Sequence, residues 1–395
     1  MNTETQIKNA CAHLSARAQV PADLTDRVLG AASAPRRRVR RSLGYSLAAG
    51  AAAVLVGAGA VAVTTQGSAP KRPVQTIAPV TLSSDTSLRT DLGSTFPRHL
   101  VAAGHTAVAA YYTAHKGPSG GIRRTWYLYD PGSGTYEKTP WAYLDVAPGM
   151  HQAAVIEGPL PAPRIGILDL ATQKVIRWIS IGQKVGGVAW APDGRRLVLT
   201  AYAKDPDVFS PPVGGPDGPA GSRTGFAVVD SATGRGTFHA LPPHPGTIGP
   251  RQDLGWSRSG ALLWAPTETD PAKVFYDLNG RPQPAPAHEA DAMEEAGLSP
   301  NGRLQPKFGP RPGPAVTIKN LTTGKTAAIL PIEQAKAWAD DGRLFAIGCA
   351  VKKCTGKGEF HNRLLLVTLH GKITPLTGYH RSDKLGSWVP VFTHR

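Results

Sequence analysis

The sequence predicts an all-β fold assembled from a repeated strand unit, and three observations predict it. The first is a turn motif, Trp190-Ala-Pro-Asp-Gly194, set between Val188-Ala189 and a strand-like run from Leu197 to Tyr202. Proline presets the turn dihedral, glycine accepts positive φ, and the flanking β-branched and aromatic residues suit a pleated sheet. The second is that weaker copies of this motif recur along the chain. The third is a content of 44 Gly and 36 Pro in 395 residues, high for a helical protein and below the level of a low-complexity chain.

With Trp190 as the index position, the copies fall at Leu100, Val146, Trp256, Leu298, Trp338 and Trp388. The steps are roughly 40–66 residues, and most lie close to the spacing of four-stranded propeller blades. A second mark accompanies the first: a strand, a polar turn and another strand. It appears at Asp130 with Gly134, Asp169 with Thr172-Gln173, Asp230 with Gly234, Asp277 with Gly280, Asn320 with Gly324, and after Leu364–Leu369 with Gly371. Asp or Asn caps such a turn through its side chain and Gly supplies the positive φ. Trp190, Pro192, Asp193, Gly194, Trp256, Gly260, Gly302, Trp338 and Gly342 are accordingly read as structural turn residues and not as a site.

These residues resemble the TolB-like and WD40-like β-propeller repeats, whose hallmark is a Trp-Ser-Pro-Asp-Gly turn. The resemblance covers residues 97–395 and implies a six-bladed propeller. A seventh blade stays open if residues 76–92 pair with the segment after Trp388. That last unit holds a single strand, expected to complete blade 1 and close the ring.

Upstream, the chain divides further. Residues 1–42 read as a basic cytosolic tail ending in five arginines between Arg36 and Arg41. Residues 43–63 are an uncharged run of 21 residues, enough at ~1.5 Å per residue to span a ~30 Å hydrocarbon layer. The arginines on its N-terminal side place that terminus in the cytoplasm and the C-terminal domain outside. Ala60-Val-Ala62 leaves a cleaved signal sequence as the alternative. Residues 64–96 read as a linker.

The net charge of +16 allows an anionic partner, but no Lys/Arg stripe interleaved with aromatics follows residue 42, so no nucleic acid is expected. Cofactors and metals are not expected either. Cys11 and His13 lack a second pair at ligand spacing, and Lys204-Asp-Pro-Asp207 lacks the order of a calcium loop. Gly255-Trp-Ser-Arg-Ser259 begins like a nucleophile elbow without its second glycine or a following helix. His239 and His244 read as a solvated loop pair. Cys349 and Cys354 bracket four residues in a loop, where outside the cytoplasm a structural disulfide is expected; a redox or metal pair would want closer spacing or further ligands.

The repeat also fixes the phase of the loops. In each blade the turns between the first and second and the third and fourth strands share one face, and here they are short. The long insertions, residues 114–121, 204–222 and 349–361, lie on the other face with the connections 242–252 and 287–295. The expected function is a membrane-anchored extracytoplasmic scaffold binding a protein, peptide or envelope polymer on that elaborated face. The alternative is a cell-envelope hydrolase or lyase with its site at the channel, which fold alone does not exclude.

Overall fold

The computed structural model describes residues 82–395 except 118–120, 209–220, 244–248, 250, 268–270, 291–294, 310–314, 350–360 and 382–385. The expected tail (1–42), membrane span (43–63) and first half of the linker lie outside the described residues. What is described is all β: six antiparallel sheets arranged as the blades of a propeller.

Strands are lettered A to D from the channel outward. Blade 2 consists of Tyr143–Val146, Gln152–Ile156, Ile165–Asp169 and Lys174–Ile179. Blade 3 has Val185–Trp190, Arg196–Tyr202, Arg223–Asp230 and Gly236–Ala240. Blade 4 has Gly255–Trp256, Leu263–Pro266, Lys273–Tyr276 and Pro282–Gln283. Blade 5 has three strands, Leu304–Phe308, Val316–Asn320 and Thr326–Leu330. Blade 6 has Gln334–Asp340, Arg343–Gly348, His361–Thr368 and Ile373–Pro375. Blade 1 takes strands B to D from Thr106–Lys116, Ile122–Asp130 and Thr135–Lys138, and its strand A from the C-terminus, Trp388–His394. Closing the ring with the chain's end removes the free edges that an open sheet would expose.

Strands B and C are buried on both faces because each blade is sandwiched between two others. Period-2 alternation then serves two seams at once. Leu197 and Leu199 pack into the seam between blades 2 and 3, while Val198 between them packs into the seam between blades 3 and 4. Similar clusters fill the seams between blades 1 and 2, 5 and 6, and 6 and 1. The core is therefore a set of inter-blade layers.

Four expectations need correction. No seventh blade forms from the described part of 76–92; Arg89 and Asp91 make single bridges, to Ala102 and Thr377. Leu100 precedes a short hairpin around Gly104 and is not on an inner strand. Trp388 is not equivalent to Trp190. It opens the inner strand of blade 1 at the loop face, opposite Thr113, and the turn end of that strand is His394, opposite Thr106. Strand A (Trp388–His394) and strand B (Thr106–Lys116) are far apart in sequence, so no tight A–B turn joins them for an index residue to precede. Leu298 lies in no strand, which leaves blade 5 without an inner strand among the described residues.

The domain also starts earlier than residue 97. Asp85 accepts a hydrogen bond from Arg395 (3.4 Å), Arg395 also donates to the Ser87 carbonyl (2.6 Å), and the Arg89 and Ala102 backbones exchange bonds of 2.8 and 3.1 Å.

Candidate interaction face and central channel

The A–B turns are built alike in three blades. Gly194, Gly260 and Gly302 hold φ of 65°, 68° and 75°, the left-handed region where a Cβ is strained. Each donates its N–H to the carbonyl three residues back, Ala191, Ser257 and Ser299. Asp193 fastens the first of these turns by accepting from the Arg195 backbone (2.9 Å) and the Arg196 side chain (2.8 Å). Gly342 departs from the pattern. Its φ is not left-handed, and its N–H goes to the Asp340 carboxylate at 2.9 Å, because the turn from Asp340 to Arg343 is shorter.

The index tryptophans tie neighbouring blades together. Trp190 Nε1 donates to the Asp145 carbonyl (3.2 Å), Trp256 Nε1 to Ala189 (3.0 Å) and Trp338 Nε1 to Gly297 (3.2 Å). Each acceptor is the residue just before the index position of the preceding blade. Arg196 extends the tie by donating to the Gly260 carbonyl at 3.0 Å, and Asn301 donates its N–H to Asp341 at 2.8 Å. Asp193, Gly194, Gly260 and Gly302 thus close their own turns, and Trp190, Trp256 and Trp338 tie neighbouring blades. Pro192 and the tryptophans also line the channel.

The channel has a volume of 760 Å³ and is lined by the inner positions of all six blades. Its wall carries charged groups. Lys336, buried, pairs with Glu295, and Asp145 faces the cavity while accepting the Trp190 backbone N–H at 2.7 Å. Burial raises the Asp145 pKa to about 6 against the opposing pull of that N–H. Among the described residues no group of three or more His, Cys, Asp or Glu is placed to hold a metal ion.

The loop face is organised around a buried ionic cluster that sequence reading missed. Arg251, in the connection from blade 3 to blade 4, donates in a fork to Asp207 (2.7 and 2.8 Å). It also donates to Asp253 (2.7 Å) and to the Gly186 carbonyl (2.9 Å), and its guanidinium lies 4.6 Å from the Tyr143 ring centre. Tyr202 donates to Asp253 (2.8 Å) and accepts the Gln252 N–H (2.7 Å). Arg124 of blade 1 pairs with Asp207 at 2.5 Å, and the Asp207 carbonyl accepts the N–H of Ile122 at 2.8 Å. The B–C loop of blade 3 is thereby fastened to blade 1 across the top of blade 2.

Burial works against the charge on Asp207, but the hydrogen bonds and charge of Arg251, with Arg124, hold its pKa below the usual carboxylate range. Burial also opposes the charge on Arg251, which Asp253 and Asp207 hold protonated. Tyr202 and Tyr143 are pushed up, chiefly by burial. Bidentate Arg–carboxylate geometry is the arrangement that tolerates such desolvation. Nearby, buried Arg223 donates to the carbonyls of Leu241 (3.2 Å), Pro242 (2.8 Å) and Gln252 (3.2 Å), which fixes the path of that connection.

Two sequence signals point to the cluster. One is Gly187 in an inner strand, where a Cβ would come within 2.1 Å of Asp253 Oδ1; glycine in a strand marks close approach. The other is Asp205-Pro-Asp207, in which Asp207 pairs with Arg251 and Arg124 and Asp205 accepts the Asp207 N–H at 2.9 Å. Beside the cluster, a cleft of 520 Å³ opens between blades 1 and 2 under the B–C loop of blade 3. His239 lies in strand D of blade 3 with its ring 5.4 Å from that of Phe226, while His244 is outside the described residues. Cys349 is buried and disulfide-bonded; Cys354 lies outside the described residues.

The class is thus a six-bladed β-propeller with one plain, stitched face and one elaborated face. No protein-family model matches the sequence, and no curated protein matches it. Among solved structures the chain is similar to a chain of the mitotic checkpoint complex, at 13% identity and a TM-score of 0.38, over 85% of this chain and 98% of that one. It is similar to TolB from Acinetobacter baumannii at 13% identity and 0.40, over 73% and 67%. A third is hydrazine synthase of Kuenenia stuttgartiensis, at 12% identity and 0.32, over 63% and 68%.

Proposed function

We propose that the protein is a membrane-anchored, extracytoplasmic binding scaffold that holds a protein or peptide partner on its loop-rich face. The observation that carries this reading is the asymmetry of the ring. Short turns on one face are spent on holding blades together. On the other, Asp207 in the blade 3 insertion and Arg251 and Asp253 in the following connection are fixed by a buried ionic cluster beside an open cleft, and a preordered surface lowers the ordering cost of binding. The anchored, outside placement rests on the uncharged run 43–63 and the arginines before it.

A photo-crosslinking residue placed at Lys204, exposed on the loop face, is compared with one at Lys325, exposed on the turn face. Crosslinks to a partner in whole cells are expected from Lys204 alone; none, or crosslinks from Lys325 alone, overturns the reading. A membrane-impermeant amine reagent applied to intact cells should label the propeller lysines; protection of them overturns the outside placement.

The second reading, a hydrolase or lyase acting at the channel, is favoured by one observation: the raised pKa of Asp145, about 6, in a cavity of substrate size. Its carboxylate is however engaged by the Trp190 N–H, and the other acid on the wall, Glu295, is paired with Lys336. Turnover of a wall or peptide substrate abolished by Asp145→Asn would install this reading in place of the first.

A further inference from the structure

The cleft beside the ionic cluster carries a charge and a shape that select a ligand class. One wall is cationic. Arg123 and Lys138 are exposed at its lip, and no acidic side chain pairs with either among the described residues. Arg124 stands deeper and is paired with Asp207 at 2.5 Å. Both Asp207 oxygens are already engaged by the Arg251 fork, and Asp205 Oδ1 is occupied by the Asp207 backbone N–H at 2.9 Å. Asp207 is therefore committed to two arginines, while Arg123 and Lys138 at the lip are available to a ligand.

The opposite wall is apolar and fixed. Trp141 stands edge-on to Trp178 with ring centres 6.3 Å apart, and Pro159 and Leu160 continue its surface. A volume of 520 Å³ falls within the usual ~300–1,000 Å³ of ligand clefts.

We propose that this cleft is the recognition subsite for an acidic peptide segment, with an Asp or Glu carboxylate on Arg123 and Lys138 and an adjacent apolar side chain against Trp141 and Leu160. The planar fork of Arg123 matches a carboxylate, and the Lys138 ammonium adds a second charge-assisted donor. A phosphate polymer or nucleic acid fits less well, because it offers nothing to the Trp141–Leu160 wall and would want a longer cationic track than this cleft provides. The inference rests on the scaffold reading and names the chemistry of its partner.

The test pans a random dodecapeptide display library on the full chain in detergent, with Arg123→Ala/Lys138→Ala in parallel. Both residues are exposed, so the variant keeps the fold. Selected peptides should carry Asp or Glu next to an apolar residue. Their affinity should fall about tenfold or more on the double variant, and also when the acid is changed to its amide, as expected for loss of about 1.4 kcal/mol or more. Selection without acid enrichment, or affinity unchanged on the double variant, overturns the proposal. So does displacement of the peptides by inorganic polyphosphate that binds more tightly than they do, which would assign the cleft to a phosphate polymer. Crosslinking of a partner at Lys204 that persists in the double variant would reject this subsite and leave the scaffold standing. Absence of that crosslink in the unaltered chain would reject the scaffold itself.

Discussion

The two faces of the ring hold themselves together by different means. On the turn face, one device is repeated: a left-handed glycine closes the turn, and a tryptophan or arginine reaches the neighbouring blade's carbonyl. On the loop face, a single unrepeated cluster places Arg251, Asp207, Arg124, Asp253 and Tyr202 in mutual contact across three blades. Repeated local bonds are nearly independent, so the loss of one is small and losses add. Groups sharing partners couple, and one deletion leaves several charges stranded. A ring that must be rigid yet carry a specific surface can use the first device for shape and reserve the second for that surface.

The largest expected break of this comparison is Arg251→Ala. It strands Asp207 and Asp253 in a buried site and should cost about 3–5 kcal/mol, read as a lowered denaturation midpoint. A loss of under half that would mean the loops are held by something other than the cluster. Next come the acids, whose signatures are opposite in sign. Asp207 has a folded pKa below the ordinary aspartate value of 3.8, so it contributes stability above that pH which is lost as pH falls. Asp145 has a folded pKa of about 6 against 3.8, so the folded state holds its proton more tightly. That contribution is present below pH 3.8 and disappears as pH rises through 6. Asp145→Asn keeps an acceptor for the Trp190 N–H and removes the desolvated charge, so it should raise stability at neutral pH by up to about 2 kcal/mol. It should also flatten the pH dependence between 3.8 and 6. An unchanged pH profile would show that channel water already solvates the carboxylate.

Smaller effects belong to the repeated stitches. Gly194→Ala puts a Cβ on a left-handed backbone and should cost about 1–2 kcal/mol. Trp256→Phe removes one inter-blade donor and should cost about 1 kcal/mol. Combining the two should give a near-additive loss; strong coupling would show that the turn face is a network like the other.

Much of this architecture is legible in residue types. The blade phase, the plain and elaborated faces and the closing strand follow from Trp190-Ala-Pro-Asp-Gly194 and its copies, because turn chemistry and period-2 burial are local properties. Trp388 was less readable. A tryptophan at either end of an inner strand looks the same in one dimension, and only its pairing with Thr113 shows which end it occupies. The ionic cluster was not readable as a unit. Arg124, Asp207 and Arg251 lie on different blades or connections, and each alone resembles an ordinary surface charge; Gly187 hints at close approach without naming what approaches.

The sequence by itself determined the repeated-strand architecture, the turn chemistry around Trp190, Trp256 and Trp338, and which loops share a face, since these depend on neighbours within a few residues. Tertiary structure alone decided which tryptophan reaches which blade, which charges are buried together, and that a cationic cleft with a tryptophan wall opens beside them. Those depend on contacts between residues dozens to hundreds of positions apart, and no local pattern encodes them.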